Sequence, residues 1–272
     1  MKNLPATHPH EFPRLDSTEL RARFLVEGLF DGDRVSWVNA QDDRLLLGGI
    51  TLSGPARPVT APPQLGTGGA LCDRRELAVV PLTDRVTVIA DGTPYALEPL
   101  DVLYVGLGTA EVSLEGIGRV YLVSAPAHRA YPTTPAGRQQ AHATELGEPE
   151  HANRRTIRRH IHTEGVASAN LVLGVTTLHP GSVWNTMPPH THGRRTEVYL
   201  YTGLGADDHV VHLAGPPDST RPIIVADDQA VISPGWSIHS GAGTRAYSFI
   251  WAMAGENQDY ADMDPVAVAD LR

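Results

Sequence analysis

The stretch Pro188-Pro189-His190-Thr191-His192-Gly193-Arg194-Arg195-Thr196-Glu197-Val198-Tyr199 carries two histidines two residues apart and a glutamate five residues after the second. Successive side chains of a β-strand point to opposite faces, so His190 and His192 share a face and their imidazoles converge. Gly193-Arg194-Arg195 provides a turn, after which the alternating run Glu197-Val198-Tyr199-Leu200-Tyr201 can set Glu197 opposite the pair. A fourth donor comes from Ile232-Ser233-Pro234-Gly235-Trp236-Ser237-Ile238-His239, where a Pro-Gly turn feeds a short strand that delivers His239. Three neutral imidazoles and one carboxylate suit Zn, Mn, Fe or Ni, and the donor set does not choose among them. A lone H-x-H is commonly a solvated or core pair. The added Glu197 and His239 make a metal site the expectation.

Other histidines and aromatics compete for attention. His160-Ile161-His162 is a second H-x-H, but Glu164 follows after only one intervening residue. No turn fits in that spacing, so the pair reads as a surface or pocket-rim feature. His209 and His212 have opposite parity, so at most one faces an interior, and His212 is the candidate. Tyr199 and Tyr201 share the parity of Glu197 and are expected to look into the same space. Trp184, Trp236, Phe249 and Trp251 read first as core aromatics.

The elements around these residues are mostly strands. Asp16-Ser17-Thr18-Glu19 has capping-box spacing ahead of Leu20, Phe24 and Leu25, which predicts one short helix over about residues 17–27. Thereafter short apolar runs alternate with Gly and Pro: Val35–Val38, Arg44–Leu47, Ile50–Leu52, Leu77–Pro81, Val86–Ile89 and Val102–Val105, with Asp91-Gly92 marking a hairpin. Residues 126–156 are rich in Pro, Gly, Ala and His and read as a connector. Strands resume at Thr156–Ile161 and Ala169–Leu178 and continue to Ala254. This is the pattern of barrels or sandwiches. Arg74-Arg75-Glu76-Leu77 resembles Arg194-Arg195-Thr196-Glu197, and Tyr104-Val105-Gly106 can be laid on Ser233-Pro234-Gly235, which suggests a tandem repeat. That alignment puts Gly69, Leu71 and Ala110 where His190, His192 and His239 stand, so the first copy lacks the metal donors.

Composition narrows the function. The chain has 272 residues and a formal net charge of −9. Without a basic excess, neither nucleic acid nor an anionic membrane is an expected partner. Cys72 is the only cysteine, so no intrachain disulfide forms, and no apolar run suggests a signal peptide or a membrane span. A cytoplasmic location is expected. Lys2 is the only lysine and sits in an N-terminal tail, which argues against Schiff-base chemistry.

The H-x-H-x4-E and P-G-x3-H elements resemble the metal-binding pattern of cupins. The likeness extends further through Trp184–His192, Arg194–Tyr199, Ile232–Gly241 and Phe249–Gln258, and through Phe24–Glu27, Gly48–Ile50, Arg74–Leu77, Leu103–Gly106 and Ala125–His128. Across nearly its whole length the chain is similar to 4-deoxy-L-threo-5-hexosulose-uronate ketol-isomerases, also called 5-keto-4-deoxyuronate isomerases. Related 5-deoxyglucuronate isomerases have a longer insertion between H-x-H and the acid, which the compact spacing here disfavours. Gly193 departs from the family's pattern, which has Glu there, and so does Pro189.

The resemblance implies an all-β bicupin, tandem cupin barrels with a short N-terminal helix. Residues 1–125 would form a degenerate barrel without metal, 126–156 a connector, and 157–272 the metal-binding barrel and tail. It implies a homohexamer acting in pectin and uronate catabolism, with one Zn2+ per subunit on His190, His192, Glu197 and His239. Interconverting aldose and ketose moves a proton between C1 and C2 through an enediolate, so a Lewis acid and a proton shuttle are both required. Shuttle candidates are metal-bound water, Tyr199, Tyr201, His212, Glu256, Asp262 and Asp264. The uronate carboxylate is expected on Arg195 first and Arg155 second, with Gln258 next and Trp251 as a pocket aromatic. The competing readings are an iron-dependent cupin dioxygenase and a non-catalytic sugar-binding cupin.

Overall fold

A computed structural model of the chain describes residues 1–66 and 69–272. The architecture is all-β with one short α-helix among the described residues, as the sequence indicates. Two compact units divide it: Met1–Asn3, Gly28–His142 and Arg159–Leu173 form the first, and Leu4–Glu27, Ala143–Arg158 and Gly174–Arg272 the second. The boundaries therefore differ from the expected division at 125 and 156. The N-terminal helix belongs to the second unit, and the strands Arg155–Ile161 and Val172–Leu178 each change unit partway along. The expected connector also contains two strands, Thr134–Ala136 and His142–Leu146, the first antiparallel to Val102–Val105.

In the first unit the long strands Leu46–Pro58 and Val112–Pro126 pair along most of their length. The sequence reading splits Leu46–Pro58 at Gly48-Gly49, yet the strand runs on. Gly48 is needed because a Cβ there would stand 2.4 Å from the Trp37 ring. Asp91 and Gly92 both adopt positive φ, 46° and 78°, and join Val86–Ala90 to Thr93–Leu97 in the expected hairpin. Leu46, Ile50, Leu77, Val79, Leu103 and Leu122 lie in the core between these strands.

Glu76, which the repeat lays on Glu197, has a purely protein environment in the first unit. It is fully buried in the strand Arg75–Pro81, and its carboxylate accepts the backbone N–H groups of Ala169, Asn170 and Leu171 at 2.7, 2.7 and 2.6 Å, plus the Tyr104 hydroxyl at 2.7 Å. Four donors satisfy the charge without an ion. Register also corrects the repeat alignment. Leu77, after Glu76, pairs with Val105, whereas Val198, after Glu197, pairs with Ile232. Val105 therefore corresponds to Ile232 and Gly106 to Ser233, two positions from the expected match.

In the second unit, Asp16 caps the helix Ser17–Phe24. Glu19 N–H donates to Asp16 Oδ1 at 2.8 Å and Asp16 N–H to Glu19 Oε2 at 2.9 Å. The helix stops short of residue 27 because Leu25 and Val26 pair with Val231 and Ala230 as an edge strand. Phe12 and Phe24 meet Trp236 edge-on at 5.5 and 6.1 Å. Arg195–Thr202 lies between Ser248–Gly255 and Ala230–Ser233 in one sheet, while Ile238–Gly243 pairs with Trp184–Asn185 and Val210–Gly215 in another.

Candidate metal centre and substrate cavity

His190 stands on the two-residue strand His190–Thr191, Glu197 on Arg195–Thr202 and His239 on Ile238–Gly243, and all four expected donors meet in the second unit. His190 Nε2 lies 3.1 Å from His192 Nε2 and 3.0 Å from His239 Nε2, and Glu197 Oε2 lies 2.8 Å from both His192 Nε2 and His239 Nε2. The Pro234-Gly235 turn sits directly behind His192, where a Cβ on Gly235 would be 2.6 Å from its carbonyl oxygen.

These separations fit a metal. His192 Nδ1 is 2.9 Å from the backbone oxygen of Asp262, which can only accept, so the ring proton sits on Nδ1 and Nε2 presents a lone pair. A lone pair 2.8 Å from a carboxylate oxygen is repulsive unless a cation lies between them. Bonds of about 2.0–2.2 Å from a first-row divalent ion span adjacent donors at such distances. Burial pushes His190 down to about 2, with His239 adding to it, so its imidazole is neutral and able to ligate. Burial opposes the charge on Glu197, but the electrostatic influence of His239 beside it outweighs burial and holds the carboxyl well below its usual range.

The centre opens on a cavity of about 180 Å³. Its lining includes His190, His192, Glu197, Tyr199 and Arg155, and apolar surface from Ile157, Phe249, Trp251 and Met253. Tyr199 is buried, with its hydroxyl 2.9 Å from Thr186 Oγ1. Burial, reinforced by Glu197, raises its pKa well above 10, so it is a protonated phenol. Thr186 is a β-branched residue at φ 46°, a conformation such residues rarely adopt, and it too lines the cavity.

Several expected residues lie elsewhere. Tyr201 shares the parity of Tyr199 but sits one step deeper, its hydroxyl 2.8 Å from His212 Nδ1, and neither lines the cavity. Glu256 is exposed, and the carboxylates of Asp262 and Asp264 are engaged by Arg194. Arg195 points inward at the strand's first residue, but its guanidinium runs under the C-terminal segment to Asn257 and the Asp262 carbonyl instead of into the cavity. Arg155 is the one guanidinium in the cavity lining among the described residues, steadied by the Asn153 carbonyl at 2.8 Å. Trp251 lines the cavity and donates to Thr176 Oγ1 at 3.1 Å, whereas Gln258 does not line it. His160 and His162 are buried, and the Ala136 carbonyl lies 2.8 Å from His160 Nδ1. They line a separate cavity of the first unit with His142 and Arg159. Sequence reasoning missed Thr186, Tyr260 and Met263 as lining residues, since no spacing rule ties loop residues to a strand-borne site.

Fold and site together define a cupin-type all-β protein with a cluster of three histidines and one glutamate that could hold a metal ion. The KduI/IolB family model matches residues 67–268, and the chain belongs to this family. It is 49% identical to the 4-deoxy-L-threo-5-hexosulose-uronate ketol-isomerase of Kineococcus radiotolerans over 100% of both chains. To the enzyme of that name from Caldicellulosiruptor bescii it is 44% identical, over 98% of each. Among solved structures, an IolB-like protein of Salmonella typhimurium aligns with a TM-score of 0.72 at 14% identity, covering 89% of this chain and 96% of that one. Oxalate decarboxylase of Bacillus subtilis, described with Mn(II) centres, aligns at 0.56 and 11% identity, covering 83% and 72%. These two likenesses concern the fold.

Proposed function

We propose that the chain is a zinc-dependent ketol-isomerase converting 4-deoxy-L-threo-5-hexosulose uronate (5-dehydro-4-deoxy-D-glucuronate) to 3-deoxy-D-glycero-2,5-hexodiulosonate. One observation carries the reading: a lone-pair-rich His190, His192, Glu197 and His239 cluster opens on a cavity that, among the described residues, is lined by one guanidinium, that of Arg155. That cavity can receive a carbonyl–hydroxyl pair at one place and a carboxylate at another. A zinc ion held by the four residues would supply Lewis acidity toward the carbonyl and its neighbouring hydroxyl. Arg155, buried enough to make a charge-assisted bond strong, binds the substrate carboxylate. Tyr199 holds its proton at neutral pH and donates from Oη to a substrate oxygen as negative charge develops there, aimed by Thr186. Ile157, Phe249, Trp251 and Met253 exclude water from the reacting carbons. By resemblance the enzyme works as a hexamer in the cytoplasm.

The test is metal analysis of the purified protein together with isomerisation of the uronate. Stoichiometric zinc with turnover and no oxygen uptake supports the reading. Iron-dependent oxygen consumption overturns it.

A further inference from the structure

His192 is oriented by more than its own strand. The Asp262 carbonyl lies 2.9 Å from His192 Nδ1 and also accepts from Arg195 Nη2 at 3.0 Å, using both lone pairs of one oxygen. Arg195 is only 2% exposed, and its Nη1 reaches Asn257 Oδ1 at 3.4 Å. From outside, Arg194 Nε binds the Asp262 carboxylate at 2.7 and 2.8 Å and Arg194 Nη2 binds Asp264 at 3.1 Å, while Asn257 Nδ2 donates to Asp262 Oδ2 at 2.6 Å. The backbone joins in: Asp264–Pro265 pairs with His190–Thr191, and Val266 N–H donates to the Pro189 carbonyl at 3.0 Å. The segment so held contributes Tyr260 and Met263 to the cavity wall, with Tyr260 5.3 Å from the Trp251 ring.

We propose that Arg195 is a positioning residue of the metal centre: it fixes the Asp262 carbonyl that orients His192, and thereby couples metal binding to closure of residues 257–266 over the cavity. A guanidinium suits the task because its planar fork reaches the Asp262 carbonyl and the Asn257 side chain from one rigid group. Coupling is reciprocal, so an ordered segment tightens the metal and a bound metal orders the segment. The inference rests on the metal-centre reading, but not on which sugar is turned over.

The experiment titrates metal-free protein with Co2+, following the visible d–d band and competition with a chromophoric chelator, and measures amide exchange of residues 257–266 with and without Co2+. R195Q should bind Co2+ about 10–100-fold more weakly, as loss of such outer partners does, with a shifted d–d band. R195K should recover part of the affinity. R194Q removes a half-exposed side chain that holds the same loop, so it tests the idea even if R195Q folds poorly, and it should weaken binding several-fold. In the wild type Co2+ should slow exchange in 257–266, and in R195Q it should not. Co2+ affinities within about twofold for both Gln variants, or exchange indifferent to Co2+ in the wild type, would overturn the proposal. Because the readout is affinity, a wild type that binds Co2+ yet lacks isomerase activity counts against the isomerase reading alone.

Discussion

His190, His192 and His239 each supply one Nε2 to a four-donor cluster, so replacing any of them by Ala should strip the metal and abolish activity, as measured by elemental analysis. H160A should retain metal. It should instead lower stability by about 1–3 kcal/mol, because the Ala136 carbonyl loses its buried contact. Equal metal loss from H160A and H190A would mean that the cluster has been misidentified. R155A should raise KM for the uronate about 10–100-fold with metal still bound, whereas unchanged KM would place the carboxylate elsewhere. The convergence of these four side chains was legible because strand parity and loop length are written in the spacing. The direction of Arg195 was not: it lies beside the cluster in sequence, yet where its guanidinium goes depends on where Asn257 and Asp262 fold back, which no local pattern encodes.

Among the elements, two buried polar groups make opposite demands on their strands. Glu76 on Arg75–Pro81 accepts three consecutive backbone amides, so E76A leaves them without an acceptor and should cost about 3 kcal/mol or more in denaturant melts, with bound metal unchanged. A variant as stable as wild type would show that water replaces the carboxylate. His212 on Val210–Gly215 is pushed down to about 3 by burial, with nearby His239 adding to it. The folded chain keeps it neutral, while the unfolded chain takes up a proton below about pH 6.5, so its contribution is fully present above 6.5 and drains away toward pH 3. Metal-free protein should therefore lose stability by on the order of 1 kcal/mol per pH unit through this group below 6.5, and H212Q should show a shallower fall of Tm with pH. An identical slope would remove His212 from the acid response. The Asp16 cap and the Asp91-Gly92 hairpin were readable since both are rules about adjacent residues. The end of the helix at Phe24, the unbroken Leu46–Pro58 strand and the strands inside 126–156 were not, because distant pairing partners decide them.

For the whole molecule, removing the metal should lower the melting temperature, since an ion that binds only the folded state at about a hundred times its Kd contributes about 2.7 kcal/mol. Calorimetry before and after chelation measures this, and no shift would mean that the ion contributes nothing to folding. On the proposed assembly, active protein should sediment as a closed oligomer, and an active monomer would dismiss that proposal. The tandem repeat was visible in the sequence, but not the way the chain threads it, for Leu25 and Val26 find their partners at Val231 and Ala230. That threading sets a timetable for synthesis. At roughly 5–20 residues per second, the ribosome needs on the order of 10–40 s to make the stretch between the two strands. For that interval Phe12, Leu20, Phe24 and Leu25 have no Trp236 and no edge to pair with. This greasy segment leaves the exit tunnel long before its partners and is thus among the last to be buried, and a nascent chain stalled before residue 230 would present it to chaperones.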